Sequence, residues 1–144
     1  MHLIRKLNVA VLVWVVATGA AFADTVNLKA DLEPSSEVPP NTSKGHGALK
    51  ATFDTSTKAF KWTIDYSGLT GPATAAHFHG PAPVGQNAGP VIPIPKDKLA
   101  SPIEGEQTLS EAQATELMNG KWYFNVHTAK NKSGEIRGQV LPAN

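Results

Sequence analysis

Two histidines two residues apart, His77 and His79 in Ala76-His77-Phe78-His79-Gly80-Pro81, are the residues best suited to chemistry, and His127 in Trp122-Tyr123-Phe124-Asn125-Val126-His127-Thr128 answers them. In an extended strand, residues i and i+2 point to the same face roughly 7 Å apart, so both imidazoles aim at one point while Phe78 packs into the other face. His127 on a neighbouring strand completes a set of three imidazoles, the donor type that copper, zinc and nickel accept. Two ligands of one ion stand roughly 2.0 to 2.1 Å from it, so the ring nitrogens are expected within about 4 Å of one another. His46, between Gly45 and Gly47, is the candidate fourth ligand, and the free amine of Asp24 is another available nitrogen. With no cysteine in the chain, thiolate copper sites, iron–sulfur clusters and thiol redox are excluded.

These side chains need strands to hold them. Thr25–Leu32 alternates Val26, Leu28, Ala30 and Leu32 with polar neighbours, the period of a half-buried strand. Glu33–Lys44, with Pro34, Pro39 and Pro40, reads as a loop. Gly45–Phe53 and Lys58–Tyr66 form a hairpin about Asp54-Thr55-Ser56-Thr57, and Phe60, Trp62, Ile64 and Tyr66 give its second arm an aromatic inner face. Ala73–His79 is the strand carrying the histidine pair, ended by Gly80-Pro81. Gly80–Pro95 is a long Pro- and Gly-rich loop with a short Val91-Ile92 strand, of the kind that is functional or mobile. Ile103–Leu109 reads as a strand, and Ser110 caps the one helix, which stops at Asn119-Gly120. Lys121–Thr128 and Gly134–Leu141 are the last two strands. Short strands between Gly- and Pro-rich turns predict an all-β, Greek-key antiparallel sandwich with one short helix.

The first residues are read differently. Arg5 and Lys6, the apolar run Val9–Val16 and the small-residue site Ala21-Phe22-Ala23 predict a signal peptide over 1–23 and a mature domain over 24–144, periplasmic or secreted. Removing Arg5 and Lys6 turns the formal charge of +1 into −1, which gives neither nucleic acid nor, after cleavage, a membrane surface a basic patch to bind. An exported domain without disulfides stands on its apolar core alone.

Three stretches carry a family resemblance: Ala75-Ala76-His77-Phe78-His79-Gly80-Pro81-Ala82, Gly120–Thr128 and Gly134-Glu135-Ile136-Arg137-Gly138-Gln139-Val140. Together they resemble the CHRD domain of chordin and of many exported microbial proteins, which implies a β-sandwich across the mature chain. The chain is also similar, more loosely, to copper-zinc superoxide dismutases. In that likeness His77 and His79 stand for the copper pair, His127 for the late copper histidine, and Arg137 for an arginine that guides an anionic substrate. Gly80–Pro95 holds no histidine and no aspartate, so the zinc ligands of that family have no counterpart.

Three functions follow from these readings. The first is copper binding through His77, His79 and His127 for sequestration, delivery or redox, with zinc as the competing ion. The second is a metal-free module that binds a protein or glycan, its aromatics serving the core. The third is a copper-only, superoxide dismutase-like oxidoreductase using Arg137. Hydrolase chemistry is disfavoured, since the chain has no Gly-x-Ser-x-Gly elbow and no phosphate-cradling loop.

Overall fold

A computed structural model describes residues 22–144 together with Val15 and Gly19. The segment read as a signal peptide lies almost wholly outside the described residues. The strands are β1 (Thr25–Leu32), β2 (His46–Asp54), β3 (Ala59–Ser67), β4 (Ala73–His79), β5 (Pro90–Pro93), β6 (Ile103–Thr108), β7 (Tyr123–Thr128), β8 (Ile136–Gln139) and β9 (Leu141–Pro142), with helix α1 (Glu111–Met118) between β6 and β7. They form two antiparallel sheets, β6-β3-β2-β1-β9 and β5-β4-β7-β8. The connections from β3 to β4, β5 to β6, β6 to β7 and β8 to β9 cross from one sheet to the other.

Alternation builds the core. Leu28, Ala30 and Leu32 of β1, Leu49, Ala51 and Phe53 of β2, and Phe60, Trp62 and Ile64 of β3 are buried from one sheet. Ala76 and Phe78 of β4 with Phe124 and Val126 of β7 meet them from the other. Phe60, Phe78 and Phe124 stand edge to face, with Phe60 and Phe78 centroids 5.1 Å apart and Phe78 and Phe124 4.8 Å apart, the arrangement aromatic quadrupoles favour.

Ser110 caps α1 as its sequence predicts: its side chain accepts from the Gln113 N–H while the Gln113 side chain accepts from the Ser110 N–H, a reciprocal pair that satisfies two otherwise free donors. Ala114 and Leu117 bury the helix against the sandwich.

The long segments off the sheets are tied down rather than free. Beyond β1 the chain passes onto the edge of the second sheet, where Glu33 and Arg137 exchange backbone hydrogen bonds at 3.0 and 3.1 Å. Asn41 Nδ2 donates to the Glu135 carbonyl at 3.0 Å, and the Ser43 hydroxyl donates to the Glu135 carboxylate. The 80–90 loop folds back over the outer face of β7 and β8: Ala82 N–H donates to the Lys121 carbonyl at 2.8 Å, and Gln139 Nε2 donates to the Ala82 carbonyl at 2.9 Å. Both faces of β7 are therefore covered along most of its length.

Candidate metal centre

β4 and β7 pair with His77 opposite Asn125, His79 opposite Tyr123 and Ala75 opposite His127. Phe78, Phe124 and Val126 point into the core, so His77, His79, Tyr123, Asn125 and His127 share the outer face by strand parity. His127 sits diagonally across from His77, within the reach of a long side chain.

The three histidines converge. His77 Nδ1 lies 3.2 Å from His127 Nε2, and one nitrogen from each of the three rings falls within 4.8 Å of the others. Two nitrogens bound to one tetrahedral ion at 2.0 to 2.1 Å stand about 3.3 Å apart, so the His77–His127 pair already has ligand spacing. The His79 nitrogen completes a wider triangle than the 4 Å expectation. His77 and His127 are half-buried and His79 is buried, which leaves the cluster open to solvent on the His77 and His127 side.

The outward ring nitrogens are anchored by carbonyls. His127 Nδ1–H donates to the Lys132 carbonyl at 2.8 Å, which fixes the tautomer and turns the Nε2 lone pair toward His77. His79 Nδ1 lies 2.9 Å from the Ala88 carbonyl, and its Nε2 faces the Asn125 Oδ1 at 2.9 Å. Burial holds His77 below the ordinary imidazole value, and the neighbouring His127 and His79 push the same way. His79 is also lowered, mainly by burial, against the raising effect of the Ala88 and Asn125 contacts. Neutral rings are the form that offers a metal its lone pairs.

Arg137 lies beside the cluster but not open to it. Its guanidinium stacks over Tyr123 at 3.5 Å from the ring centroid, and Tyr123 stacks in turn on His79 with centroids 4.7 Å apart and planes 3° from parallel. Arg137 Nη1 donates to Asn87 Oδ1 at 2.8 Å and Nη2 to the Gln86 carbonyl. At 2% exposure it presents no face to an incoming anion, so the expected guiding role gives way to a positioning one: it pins the 80–90 loop over the tyrosine that backs His79.

His46 stands apart from this cluster. It is exposed on β2 of the other sheet, its Nε2 3.1 Å from Ser67 Oγ, and among the described residues the group able to hold a metal comprises His77, His79 and His127 without it. The Asp24 backbone N–H is exposed and donates to Thr55 Oγ1 at 3.2 Å, at the far end of that sheet, from just before β1 into the turn after β2.

Two buried carboxyls next to the site have no counterpart in the sequence reading. Glu37, 4% exposed, sits below the outer face with its Oε1 lacking any hydrogen-bond partner. Burial raises its pKa to about 7, against the lowering effects of the Arg137 charge, the Asn125 amide and the Val38 N–H. Glu135 is fully buried, and burial alone would raise it, yet donors from Ser43, Thr128 and Thr70 bring its pKa down to about 2. Gly134, at φ +127°, brings the backbone against Glu37 and Asn125 so closely that a Cβ there would collide with both side chains. A lone Glu in a Pro-rich loop and another after a turn carry no sequence signal of burial.

The fold and the cluster define an antiparallel β-sandwich with a three-histidine group on the outer face of its smaller sheet. The chain belongs to the CHRD domain family, whose model matches residues 28–140, from within β1 through β8. No curated protein and no solved structure matches the chain.

Proposed function

We propose that this CHRD domain is an exported copper-binding protein that holds the ion through His77 Nδ1, His79 Nε2 and His127 Nε2, for sequestration, delivery or redox. The observation that carries the reading is the 3.2 Å spacing of His77 Nδ1 and His127 Nε2, with His127 Nδ1–H committed to the Lys132 carbonyl. Outer hydrogen bonds of this kind orient ligating histidines and raise their basicity. Copper is preferred to zinc because divalent affinities for nitrogen donors peak at Cu²⁺ and because the chain has no thiolate. Export rests on the Ala21-Phe22-Ala23 site after the apolar run.

Titration of the metal-free domain with Cu²⁺ in competition with Zn²⁺ at one pH tests the reading. Copper is expected to win, and His77→Ala, His79→Ala and His127→Ala each to weaken it by roughly 100-fold or more, while His46→Ala leaves it unchanged. Equal affinity for the two ions, or binding of neither, refutes it. A metal-free binding module is the second reading. It is favoured by His79, whose two ring nitrogens both already have oxygen neighbours at 2.9 Å.

A further inference from the structure

His79 faces more acceptors than a neutral ring can serve. Its Nδ1 lies 2.9 Å from the Ala88 carbonyl and its Nε2 2.9 Å from the Asn125 Oδ1, yet a neutral imidazole carries one proton. The Asn125 amide is not free to turn and relieve this. Its Nδ2 and the Glu37 carboxyl crowd together against Gly134, and the ionised carboxylate, the form Glu37 takes above about pH 7, demands the amide's N–H side. The Glu37 Oε1 is buried with no hydrogen-bond partner, so turning the amide would bring a second acceptor oxygen toward it.

We propose that Asn125 is a latch on His79 Nε2, set by Glu37, and that an incoming metal must displace it. The proposal rests on the three-histidine reading and names two positioning residues outside its ligand set. His77 Nδ1 donates to His127 Nε2 at 3.2 Å, while the three rings together hold one nitrogen each within 4.8 Å, the His79 ring being the one tied to Asn125. When a metal takes Nε2, the single His79 proton resides on Nδ1 and donates to Ala88, and the Asn125 Oδ1 swings away. The latch therefore works against affinity and keeps the metal-free site in one defined arrangement.

The test reads the metal-free protein first. Nitrogen-15 NMR of the histidine rings at pH 8 is expected to place the His79 proton on Nε2 in the wild type and on Nδ1 in Asn125→Ala, where Ala88 is the one acceptor left. Glu37→Leu frees the amide to present Nδ2 to the ring and is expected to move the proton to Nδ1 while Asn125 remains. Copper titration then compares the wild type with Asn125→Ala, whose affinity is expected to rise by about tenfold, the worth of one hydrogen bond no longer broken on binding. A residue that merely supported the site would lower affinity when removed. A bare Nε2 in the wild type, a proton position unmoved by Asn125→Ala, or an Asn125→Ala affinity equal to or below the wild type each overturns the latch. If the proton moves as expected and no variant binds copper, the metal reading fails and the hydrogen-bond latch stands.

Discussion

A carboxylate out of reach of water stays ionised only where donors surround it, and Glu135 accepts from the Ser43 hydroxyl, the Thr70 N–H and hydroxyl, and the Thr128 hydroxyl. Those four donors belong to the loop before β2, the turn before β4 and the end of β7, so one side chain fastens three segments. Glu135→Gln keeps the volume but places an amide N–H against donors, and it is expected to cost about 2 to 4 kcal/mol in urea unfolding at pH 7. A loss below about 0.5 kcal/mol would show that these bonds add little to stability. Nothing in the sequence separates Glu135 from the exposed glutamates at 104, 106 and 111, because burial of a charged residue is decided by segments distant in the chain.

At the scale of elements, the 80–90 loop depends on Arg137 of β8. Arg137→Leu removes the donors to Gln86 and Asn87 and the cation over Tyr123, and amide exchange from Gln86 to Gly89 is expected to accelerate by roughly 10- to 100-fold while β4 and β7 core amides hold. Unchanged exchange would mean the loop is held without the arginine. The strands themselves were largely legible. Ala73–His79 reads from the chain because alternation meets a Gly-Pro stop, and Glu111–Met118 because Ser110 and Asn119-Gly120 bracket it. Gln113, three residues beyond Ser110, is the other half of that cap. The last strands start later than the sequence predicts, β7 at Tyr123 rather than Lys121 and β8 at Ile136 rather than Gly134, although the Val140 N–H still donates to the Trp122 carbonyl at 2.9 Å and the Glu135 N–H to the Val126 carbonyl at 2.7 Å. Leu141, at the end of the predicted Gly134–Leu141 strand, belongs to β9 of the other sheet. The histidine pair was visible from its two-residue spacing, but the register that sets His127 against Ala75 rather than His77 is a long-range fact that local pattern does not encode. The sequence predicts the loop over the outer face as a long irregular segment, functional or mobile, and its anchors to Arg137, Gln139 and Tyr123 depend on residues more than thirty positions away.

For the whole molecule, two buried carboxyls tilt stability in opposite directions. Glu135, held near 2 instead of 4.5, contributes above pH 4.5 and loses its contribution as pH falls through 2. Glu37, raised to about 7 from 4.5, binds its proton more tightly folded than unfolded, so its contribution is complete below pH 4.5 and disappears as pH rises through 7. His77 and His79, lowered by burial, favour the folded state increasingly as pH rises through the ordinary histidine value and offset part of the Glu37 decline. Chemical unfolding from pH 3 to 8 is therefore expected to show Glu37→Gln gaining on the wild type between pH 5 and 7, by up to about 3 kcal/mol. Parallel profiles for the two proteins would place the Glu37 carboxyl at its ordinary value.

The parity of β4 and β7 has a consequence for how such domains diversify. Phe78, Phe124 and Val126 hold the sandwich together from one side of these strands, while His77 and His127 stand on the other, partly in solvent. Replacing either outward histidine leaves the inward packing untouched, so a lineage can discard the imidazoles, or exchange them for other donors, with little penalty in foldedness. Membership of the fold and possession of the cluster are separately heritable, and sister domains of the same architecture are free to differ in whether they carry an ion at all.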